Sequence, residues 1–341
     1  MQNIARWLRA VRGRAVIIPS LICDPEILLV VPVQVLGDRV WAVLRTGGHM
    51  TTTDITRDIT YSGAARTRAG RVMIHALECA TGKNALIRRA AGYEHEVANG
   101  RSFWQVIPER YGLSMDIIGG AMANIPANGP LILIANHPYG ILDGLMMGHL
   151  LDHIRGDFRI LANSVFRKAD ALNRVLLPIS FDETKEAVKL NLDTRAAALG
   201  YLSGGGAIGV FPGGTVSTSA TPFSQPMDPS WRNFTAKMIA KSNATVVPIY
   251  FEGHNSRLFQ LASRLHSNLR LALLLKEFKS RLDEPVRVVI GTAIPATDIN
   301  ALKSDPTALM DFLRNSTYRL SPNPLRSYAC GYEFEAKYKT R

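Results

Sequence analysis

Residues 131–143 read LILIANHPYGILD, and this stretch decides the class of fold that the rest of the chain must match. The run LILIA has no polar side chain, which is typical of a strand buried on both faces of a sheet. Pro138 and Gly140 then predict a tight turn, and a helical pattern follows near 143–155. A strand, a turn and a helix in this order predict a parallel sheet that is covered by helices.

Five more apolar runs of this kind follow, with helical spacing in most of the intervals between them. The predicted strands are 158–163, 175–181, 207–211, 245–251 and 286–291, and the predicted helices lie near 183–201, 229–242 and 255–282. We therefore expect an α/β fold with a mostly parallel central sheet flanked by helices on both faces. Pro248 lies inside one predicted strand, which favours an edge strand or a bulge there.

The chain changes character along its length. Its four predicted regions are a poorly defined N-terminal extension (1–49), a helical N-terminal region (50–112), the α/β domain (113–320) and a polar C-terminal tail (321–341). The extension lacks a clear helical period, so it either lies upstream of a true start at Met50 or serves as an anchor. No pattern in the sequence places the tail.

Composition and charge exclude several classes of protein. The chain is 47% hydrophobic and 20% charged with ordinary glycine and proline counts, which excludes a disordered, collagenous or coiled-coil protein. The net charge of +12 suits an anionic partner, namely nucleic acid, a phospholipid surface or a phosphorylated substrate. Three widely spaced cysteines form neither a zinc pattern nor a disulfide framework, which fits a reducing cytosol. We predict no membrane span, so that any membrane contact would be peripheral.

Ligands of such sheets bind where strands end, so the segments after the strands carry the candidate chemistry. His137 directly follows the first apolar run, and a turn can fold Asp143 back onto its imidazole. A carboxylate on one ring nitrogen fixes the tautomer and makes the other nitrogen a general base. The alternative is a structural histidine beside an aspartate that caps a helix.

Two further segments follow strands. Residues 211–217, FPGGTVS, offer two glycines and two hydroxyl groups, which suit a cradle for a phosphate or an oxyanion, or form only a turn. In residues 252–257, EGHNSR, Asn255 and Arg257 suit a polar headgroup, or Asn255 caps a helix. The basic residues of 257–281, Arg264 and Arg270 among them, fit a helix at a membrane surface, although core packing with a solvated basic face explains the same pattern.

The sequence gives little support for a metal site or for a serine nucleophile. His149 and His153 lie four residues apart on a predicted helix, but the sequence offers no third ligand, so we predict no metal. The chain has no Gly-x-Ser-x-Gly motif, which makes a serine nucleophile improbable.

The ordered motifs resemble those of the lysophospholipid and 1-acylglycerol-3-phosphate acyltransferase family. The resemblance is to its bacterial hemolysin-like branch, which includes lyso-ornithine-lipid acyltransferases, and it covers roughly residues 66–295. It rests on three segments, which we name the histidine turn (NHPYGILDG, 136–144), the glycine segment (FPGGTVS, 211–217) and the proline strand (VVPIYFEGHNSRLF, 246–259).

The resemblance implies a glycerolipid acyltransferase-like fold and a role in phospholipid biosynthesis. It implies transfer of an acyl group from acyl-CoA or acyl-carrier protein to a hydroxyl of a lysophospholipid or lyso-ornithine-type lipid. No cofactor is implied beyond this co-substrate. It also implies a cytoplasmic enzyme that is peripheral on the inner face of the cell membrane and contacts its anionic surface.

The resemblance further implies that His137 is the base, that Asp143 orients it, and that the glycine segment binds the acceptor. The predicted substrate-binding residues are Asn136, Arg159, Gly213, Gly214, Thr215, Asn255 and Arg257. This chain departs from many members in two ways: its histidine turn is one residue longer, and Val216 stands where they have arginine. Either Arg159 or Arg257 replaces that arginine, or the acceptor carries no phosphate.

A second hypothesis is a non-catalytic basic α/β module that binds anionic lipid or nucleic acid. The charge is spread along the chain and no recognition motif is visible, which disfavours nucleic acid.

Overall fold

The structure is a computed structural model that describes residues 28–35, 38–45, 60–62, 65, 67–163, 170–180 and 182–335. The chain divides into two compact units, Met1–Thr53 and Asp54–Arg341. In the first unit, β1 (Leu28–Val35) and β2 (Asp38–Arg45) pair as antiparallel strands. A hairpin explains why this region has no helical period. Met50 and residues 1–27, 36–37 and 46–49 of the predicted extension lie outside the described residues.

A seven-stranded sheet forms the centre of the second unit. The strands described in this unit are β3 (Ser114–Gly120), β4 (Leu131–Ala135), β5 (Arg159–Asn163), β6 (Leu176–Ile179), β7 (Ala207–Val210), β8 (Thr218–Ser219), β9 (Pro226–Met227), β10 (Thr245–Phe251) and β11 (Pro285–Ile290). The sheet has the order β3-β11-β10-β4-β7-β5-β6, and β8 pairs separately with β9. All neighbours in the large sheet are parallel except β10 and β11. The prediction of a mostly parallel sheet is confirmed.

Helices occupy most of the intervals between the strands. Those described are α1 (Arg68–Thr81), α2 (Lys83–Ala90), α3 (Tyr93–Ala98), α4 (Phe103–Arg110), α5 (Ile141–Arg155), α6 (Asp170–Asn173), α7 (Lys185–Ser203), α8 (Asn233–Lys241), α9 (Arg257–Leu265), α10 (Ser267–Lys279), α11 (Ala296–Leu302) and α12 (Pro306–Tyr318). Within the described part of the chain, no helix combines the length and the apolar character that crossing a bilayer requires.

The sheet is buried on both faces, as its apolar strands predict. In β4, Leu131 and Leu133 pack into one hydrophobic cluster with side chains of α1, α4, α5 and α10. Ile132 and Ile134 point to the opposite face and pack into a second cluster with α7, α8 and α12. This alternation places helices on both faces and leaves the strand ends as the accessible part of the sheet.

Pro248 lies in a central strand, so the expectation of an edge strand or a bulge is wrong. β10 lies between β11 and β4, and its register is regular across Pro248. The ladder with β11 extends only from Ile249 to Phe251, and the Pro248 carbonyl accepts from the N–H of Gly291 just past the end of β11. Pro248 thus lies opposite Gly291 at the end of the antiparallel ladder, where its missing N–H removes only a terminal bond.

Several elements differ from their sequence-based expectations. The predicted helix at 255–282 is two helices, because His266 adopts extended backbone angles (φ −160°, ψ 135°) between α9 and α10. β3, α11 and α12 were not predicted at all. β3 contains an aspartate and two glycines, and it is less buried than the other sheet strands around it, so its pattern is weak.

Candidate active site

The carboxyl end of β4 places His137 at the edge of the sheet, and the following turn brings Asp143 beside it. The Nδ1 atom of His137 lies 3.0 Å from Oδ2 of Asp143, although the ring N–H is not aligned on that oxygen. The Asp143 side chain is fully buried, whereas 18% of the His137 side chain is exposed. A substrate can therefore reach the histidine, and it would meet the imidazole away from the carboxylate.

Asp143 makes both of the contacts that the sequence left open, one beside His137 and one at the start of a helix. Its Oδ2 atom accepts hydrogen bonds from the N–H groups of Tyr139 (2.8 Å) and Gly140 (2.9 Å), so it also caps α5. Gly140 has a φ of +97°, and a Cβ there would lie 3.1 Å from Val216, which makes glycine necessary in this turn. Burial raises the pKa of Asp143, while His137 and the two N–H groups act in the opposite direction.

Tyr139 fixes the outer side of the same turn. Its hydroxyl donates to the carbonyl of Glu252 at 2.7 Å, and the Arg281 guanidinium lies 4.8 Å from its ring centroid. Burial raises the pKa of Tyr139 to about 12, so the phenol stays protonated and keeps donating. Gly253 has a φ of +105°, and a Cβ there would collide with the Tyr139 hydroxyl. The histidine turn and the proline strand are thus packed directly together.

A second buried carboxylate, that of Asp228, holds the backbone of His137. Its Oδ1 atom accepts from the His137 N–H (3.2 Å) and the Ser217 hydroxyl (2.5 Å), and Oδ2 accepts from the Trp231 indole (2.9 Å). The N–H of Ser217 in turn donates to the His137 carbonyl at 2.8 Å. Asp228 therefore ties the histidine turn to the glycine segment. Asp228 carries no signal in the sequence, because it stands in the stretch MDPSWR (227–232), which resembles an ordinary turn.

The glycine segment lies against the histidine turn. The ring of Phe211 stacks on that of His137, with centroids 4.4 Å apart and an interplanar angle of 29°. The N–H of Gly214 donates to the Phe211 carbonyl at 3.0 Å, and Gly214 has a φ of +67°. A Cβ on Gly213 would lie 3.3 Å from the side chain of Asp228. Gly214 thus allows the turn, and Gly213 allows the close packing on Asp228.

Arg270 of α10 is buried against the glycine segment. Its guanidinium donates to the hydroxyls of Thr215 and Thr218, each at 2.6 Å, and to the Val216 carbonyl at 2.8 Å. Burial lowers the pKa of Arg270, and these three acceptors compensate the buried charge. The expectation that Arg270 belongs to a membrane-facing basic surface is wrong, because its charge is directed into the protein.

The C-terminal tail, which the sequence left unplaced, packs on the same region. The N–H of Gly331 donates to the carbonyl of Asp228 at 2.8 Å, and the N–H of Tyr332 donates to that of Thr218 at 2.9 Å. The backbone of the tail therefore continues the small β8–β9 pair beside the glycine segment.

Side chains of the tail reinforce this contact. The Arg270 guanidinium lies 4.2 Å from the ring centroid of Phe334. Glu333 binds Arg232 through both carboxylate oxygens, each at 2.9 Å, in a largely buried ion pair. The tail thus covers the arginine that holds the glycine segment.

A cleft of about 930 Å³ opens beside the histidine turn. Asn136, Pro138 and Tyr139 line it, so it reaches the chain on either side of His137, although the histidine itself is not part of the lining. Its charged lining residues are Arg257, Arg281, Arg287, Arg326, Glu252 and Glu284. Two of the arginines pair with the two glutamates, at 2.6 and 3.4 Å. Over the described part of the chain, the cleft therefore carries two more positive than negative charges.

The two predicted asparagines use their side chains within the protein. The Asn136 amide donates to the carbonyl of Phe251 at 2.9 Å and accepts from its N–H at 2.7 Å, which extends the contact between β4 and β10. The buried Asn255 amide lies 3.4 Å from the carbonyl of Tyr139. Ser256, and not Asn255, caps α9 through its hydroxyl. Both asparagines therefore position the loops around His137.

The structure separates the two arginines that the sequence analysis considered for the acceptor. Arg257 is exposed in the first turn of α9 and lines the cleft. Arg159 stands at the start of β5, level with Ile208, and binds Asp157 there at 2.6 Å. It lies at the opposite end of the parallel strands from His137. The structure therefore does not bring Arg159 together with His137, because β5 begins rather than ends at this residue.

The histidine pair on α5 has no ligand-binding geometry. His149 Nδ1 lies 2.8 Å from the carbonyl of Trp104, which gives this side chain a structural contact. Among the residues with a described placement, no group of three or more ligand-type side chains is arranged to hold a metal ion.

Comparison with known proteins identifies the class of enzyme to which this fold and site belong. The family model described as Acyltransferase matches residues 87–326, a range that includes the histidine turn, the glycine segment and the proline strand. The chain belongs to this acyltransferase family.

Individual relatives are distant. The chain is 25% identical over 228 residues to the lyso-glycine lipid O-acyltransferase of Phocaeicola vulgatus, and the match covers 65% of this chain and 78% of that protein. It is 24% identical over 205 residues to a protein of the same name from Bacteroides thetaiotaomicron, covering 58% and 72%. Among solved structures, the 1-acyl-sn-glycerophosphate (LPA) acyltransferase PlsC of Thermotoga maritima aligns with a TM-score of 0.41 and 15% identity, over 78% of this chain and 87% of that chain.

Proposed function

We propose that this protein transfers a fatty acyl group from an acyl thioester to a hydroxyl group of a lysolipid, with His137 as the general base. The observation that supports this proposal most directly is the position of His137 beside the buried Asp143, at the end of a central strand and next to the cleft. Membership of the acyltransferase family supports acyl transfer, and the names of the two relatives support a lysolipid acceptor. The thioester is acyl-CoA or acyl-carrier protein, and the reaction needs no further cofactor.

In the proposed reaction, Nε2 of His137 removes the proton of the acceptor hydroxyl as its oxygen attacks the thioester carbonyl carbon. The resulting tetrahedral oxyanion collapses with cleavage of the carbon–sulfur bond. The departing thiolate then takes the proton back from the imidazolium ion. Asp143 faces Nδ1, fixes the tautomer and stabilises the positive charge that His137 gains during the step. No acyl group is bonded to the protein at any stage.

The cleft is the proposed site of the acceptor headgroup, which we propose to be anionic. Arg257 and Arg326 line the cleft, and neither has an acidic partner among the side chains that the structure describes. Val216 is buried and cannot supply the charge of the arginine that it replaces. A carboxylate of an amino-acid lipid and a phosphate of a lysophospholipid share the required charge, and the relatives' names favour a lyso-glycine type of acceptor.

The glycine segment is proposed to shape the acceptor site through its backbone. The Thr215 hydroxyl is held by Arg270 and Gly213 is buried against Asp228, which leaves the half-buried backbone of Gly214 as the part of this turn that we propose a substrate meets. Because the acceptor is a membrane lipid, the proposed location is the cytoplasmic face of the cell membrane, with peripheral attachment.

The test is acyl transfer by the purified protein to three detergent-dispersed acceptors: lyso-glycine lipid, lysophosphatidic acid and uncharged monoacylglycerol. Each is assayed with acyl-CoA and with acyl-carrier protein. His137→Ala should reduce turnover by about 10²–10⁴-fold, the usual contribution of a positioned base. His153→Ala, an exposed histidine on α5, is the matched control and should keep the full rate.

Arg257→Gln should raise the KM for the anionic acceptors and leave that for monoacylglycerol unchanged. Turnover by His137→Ala close to that of the unaltered protein would refute the proposed base. Absence of any transfer, together with salt-sensitive binding to DNA or anionic lipid, would instead support the non-catalytic module.

A further inference from the structure

The outer side of α9 is apolar although it faces solvent. Leu258, Leu261 and Leu265 are 52%, 45% and 79% exposed, and their spacing places them on one side of the helix. The opposite side, which includes Phe259 and Ala262, is buried. Three leucines on one helix face are therefore exposed to solvent within the described structure.

Phe223 is a fourth exposed apolar side chain, and it lies at the cleft. It is 85% exposed in the loop between β8 and β9. Gln260 accepts the N–H of Ser219 at 3.0 Å and Arg264 donates to the carbonyl of Ala220 at 2.5 Å, so the loop is held on α9. Phe223 also lines the cleft. We name Leu258, Leu261, Leu265 and Phe223 the leucine face.

The charges around the leucine face are positive. The α9 helix contains no acidic residue, and it begins with Arg257, which is exposed and lines the cleft. The α7 helix also exposes two apolar side chains, Val188 and Leu192, each by more than half. That helix carries two acidic residues, Glu186 and Asp193, and neither Val188 nor Leu192 lines the cleft. Only the leucine face therefore combines apolar exposure, cationic edges and contact with the cleft among the described elements.

We propose that the leucine face inserts into the headgroup region of an anionic lipid bilayer and brings the mouth of the cleft against the membrane. Apolar side chains edged by cations are what an interfacial helix requires, since the cations attract the surface and the apolar groups enter it. This contact would bring the cleft to the proposed lysolipid acceptor in the membrane, and in this respect the inference rests on the proposed function. The contact replaces the expected basic surface of 257–281, of which Arg270 is buried.

The test compares two double variants of the full-length chain in co-sedimentation with vesicles of equal parts phosphatidylcholine and phosphatidylglycerol. The first carries Leu261→Glu and Leu265→Glu, and the control carries Val188→Glu and Leu192→Glu. Both add two negative charges at exposed helical positions, so general electrostatic attraction changes equally. The α9 variant should lose at least tenfold in partitioning, whereas the α7 variant should lose no more than about twofold. A third variant, with Leu261→Ser and Leu265→Ser, removes the apolar groups without adding charge and should also lose binding.

Each other outcome overturns the proposal. An equal loss in both glutamate variants would show that charge alone governs binding, and no loss in either would place the contact elsewhere. The size of each protein is also measured by sedimentation without lipid. If the α9 glutamate variant is a smaller species than the unaltered protein while its vesicle binding persists, the face binds a second copy of the chain.

The proposed function is tested separately by acyl transfer to detergent-dispersed acceptor. The α9 variants should keep this activity, because their altered side chains do not line the cleft. Failure of the unaltered protein to transfer acyl groups would refute the proposed function and leave the vesicle result standing.

Discussion

At the scale of single residues, Asp143 shows how one carboxyl group is placed at a cost in stability. Burial raises its pKa in the folded protein, so the folded state binds this proton more tightly than the unfolded chain does. The ionised group therefore lowers the free energy of unfolding at pH values above the raised pKa. Below the unfolded pKa of about 3.9, both states are protonated and the cost disappears.

Asp143→Asn should consequently gain stability relative to the unaltered protein as pH rises. The difference in free energy of unfolding between the variant and the unaltered protein should increase from pH 3.5 to pH 7, since only the carboxyl group ionises. Urea unfolding at several pH values measures it. A difference that shrinks as pH rises would show that the folded protein holds the carboxylate favourably.

The same substitution should lower the rate of acyl transfer strongly, by roughly 10²-fold or more, because an amide cannot stabilise the imidazolium ion. Steady-state kinetics with a saturating acceptor provides the measurement. An unchanged kcat would leave Asp143 with its capping role alone.

At the scale of elements, the conformation of the glycine segment predicts the effect of a substitution in it. Gly214 has a φ of +67°, where a β-branched residue costs about 1–3 kcal/mol, so Gly214→Val should distort the turn beside Phe211. We expect a higher acceptor KM or loss of activity. Gly200→Val is the control, because Gly200 lies exposed in α7 with open space around its Cα. Equal kinetics in both variants would show that the turn has no part in acceptor binding.

The sequence indicates where the strands end, but it does not indicate which distant segments contact each other. A buried strand followed by His-Pro-x-Gly predicts where His137 lies, because the apolar run and the turn residues are local signals. Arg159 was considered for the acceptor although it stands near the beginning of its strand. Only the carboxyl ends of the parallel strands lie beside His137. Arg270 has the same helical spacing as a surface cation, and only the packing of α10 on the glycine segment reveals its burial. Asp228 gives no local signal, because its partners stand far away in sequence.

At the scale of the whole molecule, the two ends of the chain differ in their importance for the site. All the site residues discussed lie in the second unit, between residues 136 and 335. A chain that starts at Met50 should therefore fold and keep its activity. Residues 1–49 carry a net charge of +3, from six arginines and three acids, so the remainder keeps +9 of the total +12. Soluble expression and acyl transfer of this shortened chain are the measurements, and loss of either would make residues 1–49 integral to the enzyme.

Removal of residues 328–341 should have the opposite effect. It deletes the N–H donors of Gly331 and Tyr332 and uncovers Arg270 and Arg232. We expect a lower melting temperature and a loss of acyl transfer. Full activity in a chain that ends at Ser327 would show that the site stands without the tail.

The contact between Gly331 and Asp228 also orders events during biosynthesis. The ribosome encloses the most recently made part of a growing chain, and the N-terminal parts of a protein fold first. Asp228 leaves the ribosome well before Gly331, so its carbonyl has no donor from the tail until residues 331–332 have also emerged. The loop that carries His137 is anchored through Asp228, so this anchor is fully supported only after the tail has packed on it. A nascent chain that lacks residues 328–335 would therefore carry the sheet without the full support of the His137 loop.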